Sequence, residues 1–331
     1  MYSYAIYEIY KLIGSLKLPM TVNDPVIRYL CGLFSELAYF HVPANEFDNK
    51  KRAKIIPCRA YQEIIGSGIP TDLSISLQQL QFQRYFVVVE RGAIAVGIVV
   101  NNILFIAFRG THYLYDDWKT NLTCAPVSVK PYIRYHLENG NALGIPSQYF
   151  IDGRFHSGFY EEAMRISIRV MDKINQNLNE LGQFEQVFLT GHSLGGAIAA
   201  ISEFYLRGIS NNTSGCIFGA PRYCDIQAYS SLLLIPPIRI RRIGDIVPST
   251  PPKKSGYADH PYDFTIGGEP YPESVKMPST ASLLGEWIGF FSNKFEPHSI
   301  EEYRYDLGHV AGASAADLPL APFEKLTVAH I

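Results

Sequence analysis

From residue 85 the chain reads as three apolar runs in close succession, 85–90, 93–100 and 103–109, separated by the dipeptides Arg91-Gly92 and Asn101-Asn102. Runs this short, rich in Val and Ile and without a polar face, are buried strands, and two-residue breaks join them as hairpins. Upstream the spacing is helical. Ile6, Ile9, Ile13 and Leu16 mark one face of a first helix, and residues 26–40 repeat the pattern, which predicts an N-terminal helical segment over 1–45 packed on the core. Downstream the pattern predicts a helix over 161–181, then strand 186–190, helix 194–207, strand 215–219, helix 225–234, strand 238–243 and a last strand near 263–266. Alternation of this kind implies parallel strands with crossover helices. The expected class is therefore α/β: a central, mostly parallel sheet flanked by helices, with antiparallel strands at its N-terminal side. No internal repeat and no linker divides the chain, so residues 1–331 read as a single domain. Two long stretches punctuated by Gly and Pro, 131–153 and 267–297, read as loops.

Composition narrows the function without choosing it. Hydrophobic residues make up 47% and charged residues 18% of the 331, which excludes a disordered chain, while the longest apolar stretches fall short of a membrane span. The formal net charge is -2, from 29 Lys and Arg against 31 Asp and Glu, and no long basic run occurs. Nucleic acid is thus not an expected partner. The five cysteines show no zinc-site spacing, and no metal or organic cofactor is called for. The N-terminus lacks a cationic region ahead of an apolar block and does not read as a typical secretory signal, which leaves the compartment open. Oligomeric state is equally open.

One segment concentrates chemistry. The apolar run 186–190 feeds Gly191-His192-Ser193-Leu194-Gly195, a G-x-S-x-G turn that opens into a small-residue helical pattern. On so sharp a strand-to-helix turn the serine backbone is strained and its hydroxyl stands exposed, and glycine on both sides avoids a clash across the turn. A nucleophilic serine needs a base to take its proton, an acid to orient that base, and donors for the oxyanion. With chain order Ser, acid, His, Asp245 at the tip of the strand 238–243 is the preferred acid, ahead of Asp225, Asp259 and Asp263. Among His260, His298, His309 and His330, His298 alone sits on a loop that opens a helical stretch after the last strand, and it is the candidate base. The backbone N–H of Leu194 is one candidate oxyanion donor. Phe108-Arg109-Gly110-Thr111, closing the third apolar run, supplies Thr111 as the other.

These residues resemble those of the class 3 lipases. The resemblance spans most of 84–307 and rests on six motifs in order: Phe108-Arg109-Gly110-Thr111 followed by Asp117-Trp118; His156-Ser157-Gly158-Phe159; Gly191 to Ala197; Gly219-Ala220-Pro221-Arg222; Gly244-Asp245-Ile246-Val247-Pro248; and His298-Ser299-Ile300-Glu301-Glu302-Tyr303. It implies an α/β-hydrolase fold, a triad of Ser193, Asp245 and His298, and an oxyanion hole of Thr111 and Leu194. It also implies an amphipathic lid over 112–122, with Tyr113, Leu114 and Trp118 facing the site or lipid. The implied substrate is an acylglycerol, with phospholipase A1 or feruloyl-type esterase activity as alternatives on the same machinery, and a non-catalytic lipid-binding protein as the rival class. A lipid or small ester is then the expected partner. The chain departs from secreted fungal members in lacking a recognisable signal peptide and their disulfide pattern.

Overall fold

The structure, a computed structural model, describes residues 11–12, 14–39, 84–90, 93–110, 126–128, 153–210, 212–231, 235–267 and 298–313. Its centre is a seven-stranded sheet. In chain order the strands are β1 (Tyr85–Glu90), β2 (Ala93–Val100), β3 (Ile103–Phe108), β6 (Gln186–His192), β7 (Thr213–Phe218), β8 (Ile238–Arg242) and β9 (Asp263–Ile266), and they lie side by side in that same order. A separate antiparallel pair joins β4 (Pro126–Ser128) to β5 (Arg154–His156). β1, β2 and β3 pair antiparallel as the hairpin reading expects, and from β3 to β9 every pairing is parallel. The sheet is thus mostly parallel, with its antiparallel strands at the N-terminal side, as the alternating pattern predicts.

The runs are continuously apolar because both faces are covered. In β3, Leu104, Ile106 and Phe108 enter one core while Ile103, Phe105 and Ala107 enter the other. β6 divides the same way, Val187 and Leu189 against Phe188. The first core is closed by α2 (Ser157–Gln176) and α3 (Leu194–Leu206), the second by α1 (Pro25–Leu37) and the last helix, α5 (Ile300–Val310). Two layers of helix thus enclose one of sheet.

Local chemistry sets the ends of these helices. Asp24 caps α1 by accepting from the Val26 N–H at 2.8 Å, with Pro25 fixed in the first turn where no donor is needed. α2 starts four residues earlier than the hydrophobic pattern predicts, because the buried His156 ring caps it through the Phe159 N–H. The helix expected over 225–234 shrinks to a single turn, α4 (Ile226–Tyr229), capped by Asp225 and followed directly by a turn at Ser230. Residues 232–234 of that expectation lie outside the described residues. Among the described residues no helix is long and apolar enough to cross a membrane.

Candidate active site

β6 runs through the middle of the sheet and ends at the G-x-S-x-G turn, so Ser193 stands at the C-terminal edge of the parallel strands. Its backbone sits at φ 58°, ψ -128°, a conformation that costs a non-glycine residue of order 1–3 kcal/mol. The glycines on either side leave room for the backbone that packs against the turn. A Cβ on Gly191 would fall 2.3 Å from the Gly195 carbonyl oxygen, and one on Gly195 would fall 2.1 Å from that of Phe108. The second contact presses the start of α3 onto the end of β3, which brings Arg109 and Gly110 beside the nucleophile turn. The Ser193 N–H donates to the Phe218 carbonyl at 2.9 Å, fastening the turn to the end of β7.

Gly219, the next residue, adopts φ 53° and lies against the other two candidates. A Cβ there would meet Asp245 Oδ2 at 2.9 Å and the His298 ring at 3.0 Å. The His298 Nδ1–H donates to Asp245 Oδ2 at 2.8 Å, and both side chains are buried. That tautomer leaves Nε2 as the basic nitrogen. The ring of His192, the residue before the nucleophile, packs on the His298 ring with centroids 4.5 Å apart. Three stretches far apart in sequence thus converge: the turn after β6, the loop after β8 and the residue that leads into α5. In this conformation no hydrogen bond joins the Ser193 hydroxyl to His298 Nε2.

Asp245 is held from three sides. Besides His298, its Oδ1 accepts from the Val247 N–H at 2.9 Å and its Oδ2 from the Tyr303 hydroxyl at 2.6 Å. Tyr303 is fully buried, and its hydroxyl in turn accepts from the Arg242 N–H at 2.9 Å. Burial and the adjacent Asp245 charge push the Tyr303 phenol well above its ordinary range, so it remains a donor. Sequence reasoning missed this residue. Its one signal was position, since Tyr303 lies one helical turn and a half beyond His298 on α5. The loops on either side are stitched by Arg239, whose guanidinium forks onto Asp263 at 2.6 and 2.8 Å and donates to the carbonyls of Ala220 at 3.1 Å and Pro248 at 3.2 Å.

The competing residues have other work. Asp225 caps α4 and pairs with Arg154, Asp259 pairs with Arg222 and Lys253, and Asp263 holds Arg239. His260 lies among the rings of Tyr223 and Tyr229, and His309 near the end of α5 meets the edge of Tyr305. Leu194 is the first residue of α3, where the opening amides of a helix have no intrahelical acceptor. Thr111, the 112–122 segment with Tyr113, Leu114 and Trp118, and His330 lie outside the described residues. Among the described residues no group of His, Cys, Asp and Glu has the arrangement of a metal site.

Over part of its length the chain is similar to known lipases. The family model for lipase (class 3) matches residues 105–255, which bears out over that stretch the resemblance drawn from the six motifs. Lipase A of Sodiomyces alcalophilus is 28% identical over 193 residues, covering 52% of this chain and 45% of that protein, so the chain aligns with less than half of its relative. Among solved structures, Rhizomucor miehei triacylglyceride lipase is 21% identical at a TM-score of 0.46, the match covering 75% of this chain and 82% of that one. Lipase II of Rhizopus niveus is 17% identical at a TM-score of 0.48, with 75% and 82% covered.

Proposed function

We propose that this chain is a serine carboxylic-ester hydrolase acting on acylglycerols through an acyl-enzyme. The observation that carries the reading is the buried 2.8 Å bond from His298 to Asp245, set against a nucleophile turn that holds Ser193 at φ 58°. Support comes from the class 3 lipase match over 105–255 and from the lipase name of the relative.

In this mechanism Ser193 Oγ attacks the ester carbonyl as His298 Nε2 takes its proton. Asp245 steadies the imidazolium, and Tyr303 and the Val247 N–H hold the carboxylate in place by donating to it. The tetrahedral oxygen gains negative charge at the start of α3, where the Leu194 N–H and a donor from the segment after Gly110 would receive it. His298 then protonates the departing alcohol, which leaves an acyl group on Ser193. Water, deprotonated by the same nitrogen, releases the fatty acid and restores the hydroxyl.

A fluorophosphonate probe should label the chain at Ser193, and Ser193→Ala should abolish labelling and reduce ester turnover on the order of 10⁶-fold. Wild-type protein that neither labels nor hydrolyses a soluble acyl ester would refute the reading. Activity on short esters without activity on emulsified triacylglycerol would move the substrate away from acylglycerols while leaving the machinery intact.

A further inference from the structure

Behind the His298 imidazole stands a second one, and it is tied to a helix that lies wholly before the stretch matched by the lipase family model. We propose that Tyr39 and His192 form a positioning pair that holds the His298 imidazole in its working orientation, which makes the end of α1 part of the site. The proposal rests on the hydrolase reading above.

The Tyr39 hydroxyl lies 2.9 Å from His192 Nδ1 and 3.4 Å from the His192 carbonyl oxygen. It occupies the gap between the end of β3 and the end of β6, since a Cβ on Gly110 would fall 2.2 Å from it and 2.6 Å from that same carbonyl. The His192 ring, fixed at that edge, is the wall on which the site rests. Its centroid is 4.5 Å from the His298 ring and 5.8 Å from the Tyr303 ring, so it touches both the base and the phenol that holds Asp245. Were this ring free to tilt, His298 would have space to rotate off Asp245, and the fraction of molecules in productive geometry would fall.

Tyr39 is itself anchored. One turn earlier, Ser35 Oγ meets Thr190 Oγ1 at 2.9 Å, and Thr190 Oγ1, which lies 2.7 Å from the Cys216 carbonyl, is also 3.2 Å from that of Cys31, so α1 is held to β6 three and two residues before Ser193 and His192. Glu36 is ion-paired with Arg304 on α5, the helix that opens after His298. The same helix end is therefore fastened to both elements that supply the nucleophile and the base. Burial and the neighbouring His298 also push the His192 ring well below its ordinary range, so it stays neutral and does not oppose the positive charge His298 acquires in the reaction.

The test is a double-mutant cycle on the full chain, assayed with p-nitrophenyl butyrate. Tyr39→Phe and His192→Phe should each lower kcat about ten- to a hundredfold with KM within about twofold, and the double variant should be no worse than the weaker single, because both remove one contact. His192→Asn, whose amide can meet the Tyr39 hydroxyl where Nδ1 did, should recover several-fold of the His192→Phe loss, and Tyr39→Phe should cancel that recovery. Tyr39→Phe removes one oxygen and should melt within a few degrees of wild type, so its kcat can be read even if the His192 variants fold poorly. An active wild type with unchanged kcat in Tyr39→Phe, or losses that multiply in the double variant, would overturn the pair alone. A wild type that is neither active nor labelled at Ser193 would overturn the hydrolase reading and the pair together.

Discussion

Two histidine neighbourhoods, around His298 and around His260, differ in one partner and separate chemistry from packing. The rings are equally buried, at 6% and 5% exposure, and each sits just ahead of an element, α5 in one case and β9 in the other. His260 accepts from the Tyr262 N–H through Nδ1 at 3.2 Å, and its ring is walled by Tyr223 and Tyr229 at 5.9 and 5.5 Å. Burial and the positive charge of Arg239 push it well below its ordinary range. It is thereby held neutral near pH 7. His298 instead gives its Nδ1 proton to a carboxylate that accepts from two other groups as well. Burial makes a histidine neutral, and only the added carboxylate lets it accept a proton and return it.

Substitution tells the two rings apart. His298→Ala should cost on the order of 10⁶ in kcat, as removal of the base does in other triads, whereas His260→Ala should leave kcat within about threefold. The second variant should still lower stability by about 2–4 kcal/mol, since it empties a packed site. Steady-state kinetics with a urea titration of each variant separates the two. Loss of turnover in His260→Ala at full folding would reverse the assignment.

Next in size is Asp245→Asn. An amide at this position can present its NH₂ to His298 and turn the ring to the wrong tautomer, with an expected loss of about 10⁴ in kcat. Fluorophosphonate labelling should slow in parallel. Equal labelling rates in variant and wild type would mean that Asp245 does not orient the base.

Much of this was legible in the chain. The strands at 85–90, 93–100 and 103–108 announced themselves because both faces are buried, which removes every polar interruption. The nucleophile turn was legible because its glycines answer to backbone atoms 2.1–2.3 Å away, a demand no other residue can meet. His298 could be chosen over His260, His309 and His330 because it alone sits on a loop that opens a helical stretch after the last strand. Tyr303 could not, because a phenol on an apolar helix face looks the same whether its hydroxyl meets water or a carboxylate. Nothing in the alternating segment Ile238–Arg242 marks Arg239 as buried, yet it is 1% exposed and its charge is met by Asp263 from the neighbouring strand. Pairings between distant strands leave no local pattern. The role of α1 was hidden for the same reason, since a helical face says what it buries but not which turn of the sheet it fastens.

Tyr303→Phe sharpens the contrast at smaller amplitude. The variant leaves Asp245 with His298 and the Val247 N–H but removes its third donor and the acceptor of the Arg242 N–H. A net cost of about 1–3 kcal/mol in stability follows from the unmet buried groups, and kcat should fall about tenfold as Asp245 gains freedom to move. Full activity with the stability loss alone would make Tyr303 a packing residue like Tyr223.

The smallest effect is one of acid stability, and it belongs to His260. Its folded pKa lies well below the unfolded value of about 6.5, so below that pH the unfolded chain binds a proton the folded one refuses. The stability tied to this ring is complete above about pH 6.5 and drains as the pH falls toward the folded pKa. His156, pushed by burial to about 4, drains over the same range, and His192 moves in the same direction. His260→Phe keeps an aromatic ring in the Tyr223 and Tyr229 walls and removes one of these titrations. Urea midpoints taken between pH 7.5 and 5 should therefore fall less steeply in the variant, the gap at pH 5 being at most about 2 kcal/mol, which is one proton's linkage over 1.5 pH units. Parallel curves would show that His260 takes up its proton in the folded chain, and with that the difference drawn between the two rings would rest on the carboxylate alone.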